Sequence, residues 1–291
     1  MGEAGDEPQT AGRKAEATES GDAALRRPAK VPFDEPWMWL AAGWRDLWQA
    51  PTVGLAYGAV FAIAALALAL GLFSLQAHSV FPALAGGFLL LAPFLAMGLY
   101  DTSRRLALAQ PVSLGTALKA GFAAKGQIAF FGVGLMIVFL VWLELAFILL
   151  VLFMGGGGLP PPSEFLPTLL FTPLGLGLLI IGSLVGGVLA AAVFAMSAVA
   201  VPMLLVERVD AVTAMRASLQ AVATNPKPMA LWAALIAVMI AAGFATMLVG
   251  LVVAFPLIGH ATWHAYQSIY GPRLPCSGSR PAVLGSAPLS P

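Results

Sequence analysis

The chain has 291 residues, of which 59% are hydrophobic and only 10% charged, and its net charge is +1. An average soluble domain is about 25% charged, so a water-soluble fold of this size is excluded, and near-neutrality removes any global field toward nucleic acid. Several apolar runs reach the ~20 residues needed to cross a bilayer as a helix, which makes this an all-α polytopic membrane protein whose first partner is lipid.

Residues 1–35 mix charged and small residues, cannot bury enough surface to fold, and read as a disordered tail without the apolar core of a cleavable signal peptide. Residues 36–270 read as a single integral membrane domain. Residues 271–291, with Pro272, Pro275, Pro281, Pro288 and Pro291, read as a second disordered tail. That tail carries the single cysteine, Cys276, which has no partner for an internal disulfide.

Trp37, Leu40, Trp44, Leu47 and Trp48 share one face of a helix, with Arg45, Asp46 and Gln49 elsewhere, as expected of a helix lying in the membrane interface. Pro51 turns the chain into a first crossing, Val53–Leu75. A connection with Gln76 and His78 leads to the second, Val80–Leu99. After Arg104, Arg105, Lys119 and Lys125 comes a second amphipathic helix, N-capped by Ser113, with Leu114, Leu118 and Phe122 on one face. The third crossing, Ile128–Phe153, contains Glu144 and ends in a loop of Gly155–Gly158 and Pro160–Pro162 followed by Glu164. Leu169–Leu205 is too long for one straight crossing. Pro173, Gly175 and Gly177 make its first part interfacial or partly re-entrant, leaving Leu178–Leu205 as the fourth crossing. A third amphipathic helix starts at Asp210, with Val212, Met215, Leu219 and Val222 in helical spacing. Met229–Tyr266 is either one kinked crossing or two helices that turn between Gly243 and Gly250.

Two observations favour two helices, hence six crossings with five as the alternative. The first is recurrence: the stretch from Ser113 to Ala120 resembles that from Asp210 to Ala217. Trp44, Pro51 and Tyr57 have the spacing of Leu219, Pro226 and Trp232, and Pro93 and Tyr100 that of Pro256 and Trp263. Three pseudo-repeats of interfacial helix, crossing, crossing account for these spacings. The second is charge. Six crossings with both termini in the cytoplasm put all 15 Lys and Arg on the inner side, whereas five would place Arg273 and Arg280 outside.

Glu144 is the one acid within a crossing, where an ionised carboxylate costs about 2.5–3.5 kcal/mol. It is either a proton or cation site or a protonated acid bonded to a neighbouring helix. His260 and His264, four residues apart, point to one face of the last helix, flanked by Trp263 and Tyr266. The default reading is an aromatic belt that anchors and packs the helix end; the alternative is a metal or haem site. Two imidazoles on one turn cannot bind opposite faces of a haem. Ala261 stands where a zinc protease carries its glutamate. A weak metal site of His260, His264 and Glu144 is what the metal reading retains, and no cofactor is expected. Ser183, Ser197 and Thr246 have no base nearby and read as packing hydroxyls. Gly182, Gly186, Gly187 and Ala190–Ala192 offer a small-residue face for a homo-oligomer.

The run from Pro256 to Tyr266 resembles the closing signature of a bacterial integral membrane family, domain of unknown function 2189. Trp44-Arg45-Asp46-Leu47, Tyr57-Gly58, and Glu207-Arg208 ahead of Asp210–Ala214 add to the likeness, which would cover about Pro36–Tyr270. The resemblance implies a multi-pass protein of the bacterial inner membrane and brings no activity. Some relatives carry an oxidase-subunit label, against which the three histidines of this chain argue. More loosely, the unit of interfacial helix plus hairpin is similar to the membrane domains that accompany bacterial glycerophosphodiesterases. With no nucleophile–base pair in the sequence, a non-enzymatic role in transport or membrane assembly is expected, with Glu144 facing the interior.

Overall fold

The computed structural model describes residues 27–75, 81–122, 126–155 and 161–271. Gln76, His78, Lys125, Cys276, most of the Gly155–Gly158 loop and the tails before 27 and after 271 lie outside them. The described residues form helices without strands. In chain order these are α1 (Glu35–Gln49), α2 (Pro51–Ser74), α3 (Phe81–Leu95), α4 (Met97–Ala107), α5 (Leu114–Phe122) and α6 (Gly126–Met154). They continue as α7 (Pro162–Phe171), α8 (Pro173–Ser197), α9 (Ala200–Val206), α10 (Ala211–Thr224), α11 (Pro226–Ala245) and α12 (Leu251–Tyr270).

Among the described residues five stretches are long and apolar enough to cross a membrane: Pro51–Leu72, Ala83–Ala107, Gly126–Met154, Pro173–Val206 and Pro226–Ala245. α12 equals α11 in length, 20 residues each, and falls outside this set because of its polar residues. Its path nevertheless returns antiparallel to α11. The Asn225 side chain, at the start of α11, donates to the Ala29 carbonyl, and the Ala29 N–H donates to the Ile269 carbonyl near the end of α12. Both helices therefore have one end at the same face, with the turn at 246–250 at the other. That turn holds Met247 and Leu248 in the left-handed region and is closed by the Thr246 hydroxyl accepting from the Gly250 N–H.

The order α1–α2–α3/α4, α5–α6–α8/α9, α10–α11–α12 is three passages through interfacial helix, crossing, crossing. α1 and α10 each end two residues before a proline that opens the next helix, where its missing N–H costs nothing. Ser113 caps α5 as expected and Asp210, the expected start of α10, caps that helix, accepting from the Thr116 and Thr213 N–H groups. The hydrogen bonds from the Thr213 hydroxyl and N–H hold the Asp210 carboxyl below its ordinary value. Asp210→Ala is expected to cost about 1 kcal/mol in a detergent melt at neutral pH. A carboxyl held low contributes above its unfolded value and loses that contribution as pH falls through its folded one, so the deficit should shrink in acid.

The second and fourth crossings depart from the sequence reading. The second runs on to Ala107 but breaks at Ala96, three residues after Pro93, whose ring cannot donate to the helix ladder. The fourth begins at Pro173 rather than Leu178, because a proline in the first turn starts a helix as readily as it breaks one. The Thr172 hydroxyl caps it by accepting from the Gly175 N–H, and the short α7 precedes it.

The amphipathic helices bury their smaller residues and turn several large apolar ones outward. α1 turns Trp37, Trp44 and Trp48 outward and packs Trp39, Gly43, Asp46 and Leu47 inward. α10 exposes Val212 and Leu219 and buries Ala211, Ala214, Ala217 and Ala221, while α5 buries Ala117 and exposes Leu118. In a bilayer the large apolar stripe belongs to lipid, and the small residues let backbones approach.

α12 is the hub of the first and third units, packing against α1, α2, α4 and α11. Its two closest approaches rest on glycine. A Cβ on Gly43 would lie 2.6 Å from the Ala261 nitrogen, and one on Gly58 would collide with the Val252 carbonyl oxygen. The second unit is tied on by the Trp142 indole N–H donating to the Ala83 carbonyl and by the Gln127 side chain accepting from the Ala211 N–H. Among the described residues, Lys and Arg sit at the face shared by the ends of α4, α9 and α12, and the opposite end holds Glu164.

Candidate functional site

The run from Pro256 to Tyr266 forms the middle of α12, and its side chains are nearly all enclosed by protein. His260 is 0% exposed, and Trp263 and Tyr266 are core residues rather than a lipid-facing belt. The reason is α1: at Gly43 it crosses directly over Ala261 and shields this stretch from lipid.

Both imidazoles turn toward one polar cluster. His264 Nε2 lies 2.8 Å from Asp46 Oδ2 on α1, and His260 Nδ1 lies 2.8 Å from the Ser103 hydroxyl on α4. Burial raises the Asp46 carboxyl, but hydrogen bonds from His264 and Ser103 and the adjacent imidazoles outweigh it, holding the group below its ordinary value. Ser103 Oγ and His260 Nδ1 share one hydrogen bond, in which either group can donate. His260 Nε2 is enclosed, has no hydrogen-bond partner among the described residues, and faces Gly54. The His264–Asp46 and His260–Ser103 contacts fasten α1 and α4 to α12.

The neighbouring contacts extend the clasp. Tyr266 donates to Glu207 Oε1 at 2.6 Å, and Tyr270 donates to the Ala217 carbonyl at 2.8 Å. Trp39 meets Trp232 edge-to-face with ring centres 5.8 Å apart. Asp101, two residues before Ser103, is buried and paired with Arg104 and Arg105, each at 2.6 Å. Asp46 and Ser103 are the members that the sequence reading missed. The signal for Asp46 was its place in α1 opposite the tryptophans; Ser103 had none beyond following the second crossing.

Glu144 does not join the histidines. It lines a separate apolar cavity of about 740 Å³ between α3, α6, α7 and α8, and has no hydrogen-bond or ion-pair partner among the described residues. The expected site of His260, His264 and Glu144 is therefore not assembled: the two imidazoles bind different partners and the acid belongs to other helices. Among the described residues no three His, Cys, Asp or Glu groups come together to hold a metal ion.

A second cavity, of about 570 Å³, lies between α3, α4, α8, α11 and α12. Leu90, Gly187 and Ala190 line both cavities, so the two adjoin along α8. Together they form one lateral groove, from Phe165 and Glu144 toward the acidic end to Tyr100, Ser197 and Thr262 toward the basic end.

No curated protein and no solved structure matches the chain. A family model does, over residues 80–206, from the start of α3 to the end of α9. This is shorter than the expected Pro36–Tyr270, and the residues that carried the resemblance, from Trp44–Leu47 to Pro256–Tyr266, lie outside it. Several of them meet in the clasp: Asp46 with His264, Glu207 with Tyr266. The family matched by α3–α9 is Predicted integral membrane protein (DUF2189), and with five helices apolar enough to cross a bilayer this chain is an integral membrane protein similar to that family.

Proposed function

We propose that this protein is a non-enzymatic membrane transporter that binds a lipid-like molecule in the groove along α8 and passes it between the two halves of the bilayer. The observation that carries the reading is the shared lining of the two cavities by Leu90, Gly187 and Ala190. A path lined almost wholly by apolar side chains suits an apolar cargo and offers an ion or a sugar no compensation for lost water. The buried polar cluster is spent on fastening helices, and among the described residues no nucleophile stands beside a base along the groove.

The positive-inside rule supports a cytoplasmic basic face, with both chain ends on that side, and the family resemblance supports a bacterial inner membrane. Glu144 then sits in the outer half of the groove.

The test is flux in proteoliposomes, read as the fraction of fluorescent lipid that a membrane-impermeant quencher reaches with time. Gly187 lines both cavities and a Cβ there would meet no atom within 4 Å, so Gly187→Trp is the substitution chosen to fill the groove. It is expected to slow transfer at least tenfold while the melting temperature stays within a degree or two. Wild-type vesicles no faster than protein-free ones would end the transport reading. Unchanged transfer by Glu144→Gln would remove the acid from the path.

A further inference from the structure

The second cavity, the inner one in this reading, is lined among the described residues by one hydroxyl without an acceptor. Of the four tyrosines in the chain, three give their hydroxyl to an acceptor: Tyr57 to the Leu95 carbonyl at 2.6 Å, Tyr266 to Glu207 and Tyr270 to the Ala217 carbonyl. Tyr100 on α4 is 3% exposed, lines the cavity, and makes no hydrogen bond with a described residue. A buried phenol normally finds a partner, because an unpaired donor has lost its water for nothing.

The other hydroxyls lining this cavity are turned away from it. Ser197 donates to the Val193 carbonyl at 2.7 Å and Thr262 to the Ile258 carbonyl at 2.8 Å, each within its own helix. No Lys, Arg, His, Asp or Glu lines the cavity. Tyr100 lies seven residues before the end of α4, hence about 10 Å below the inner face at 1.5 Å per residue. A phosphate at that depth would have no cation and little water, whereas a carbonyl or hydroxyl needs one hydrogen bond.

We infer that the inner cavity binds an uncharged lipid, two or more apolar chains or one long one tipped by a carbonyl or hydroxyl, with that tip on the Tyr100 hydroxyl. This deepens the transport reading by naming the ligand class and rests on the same groove, but binding requires no movement, so the two fail separately.

The experiment uses the full chain in phosphatidylcholine nanodiscs with a diazirine-tagged diacylglycerol and the phosphatidate bearing the same chains. The diacylglycerol is expected to label α8, α11 or α12 beside the cavity, competed by untagged diacylglycerol, with phosphatidate labelling at least fivefold weaker. Tyr100→Phe, which removes one oxygen and keeps the ring, is expected to lower diacylglycerol labelling five- to tenfold. A control melt reports whether the variant is folded, and Tyr100→Trp, which keeps an N–H donor on a larger ring, is expected to retain part of the labelling. Undiminished labelling of the Phe variant, or equal labelling by phosphatidate, overturns the assignment. Labelling that survives in a protein without flux leaves the binding site standing and removes transport.

Discussion

Asp46→Ala is expected to destabilise the protein by about 2 kcal/mol, the size of effect seen when a buried acceptor is removed and its donor is left unpaired. The carboxylate is hydrogen-bonded to His264 at 2.8 Å, so its loss strands an imidazole between α1 and α12. The measurement is thermal or denaturant unfolding in mild detergent, followed by the fluorescence of Trp39, which packs inside α1. Asp46→Asn should recover part of the loss, since its carbonyl still accepts one hydrogen bond. The pH dependence has a definite sign. A carboxyl held below its ordinary value contributes fully above the unfolded carboxylate range and is lost as pH falls through the lowered folded value. Wild type should therefore approach the alanine variant in acid and stand furthest from it at neutral pH. Equal melting of the two at pH 7 would show that the clasp holds nothing together.

Gly58→Val is expected to be more damaging still, at about 3 kcal/mol or more, and Gly187→Ala close to neutral. The contrast tests the packing with one residue type. At Gly58 the added carbon meets the backbone oxygen of Val252, which has no rotamer to escape into, so α2 and α12 must separate. At Gly187 the same carbon points into the groove and meets nothing within 4 Å. Yield after detergent extraction and the midpoint of unfolding report both. Comparable stability for the two variants would mean that α12 does not lie against α2 at this distance.

Much of the architecture was legible because hydrophobic length and helix caps are local properties. The crossings, the Ser113 and Asp210 caps and the turn between Gly243 and Gly250 follow from residues that are neighbours in sequence. Burial was less legible, since in a bilayer an apolar residue is content against lipid or protein alike. For that reason the spacing of Val212 and Leu219 marks a face without saying what it meets, and Trp263 and Tyr266, which read as a belt, are enclosed by protein. The site was half visible. His260 and His264 announce a shared face by their spacing, but Asp46 and Ser103 reach it from helices 218 and 157 residues away in sequence, across contacts that only the fold creates. Glu144 attracted attention as a lone acid and proved to belong to a different cavity. Tyr100 had been noticed only as the counterpart of Trp263 in the recurrence, and its unused hydroxyl could not be read from spacing at all.

The pairing of Ala29 with Ile269 brings residues 240 positions apart within a single hydrogen bond, and it has a consequence for how the chain is made. Ribosomes deliver helices in order, so α1, α2 and α4 enter the membrane long before α12, the helix around which they pack. Until it arrives, Asp46 and Ser103 lack their imidazoles, and the groove at Gly58 that receives Val252 stands open to whatever helix or lipid is near. Maturation is thus a late insertion of a core into a waiting shell, and the polar residues that lower the hydropathy of α12 are what the shell has already prepared to receive.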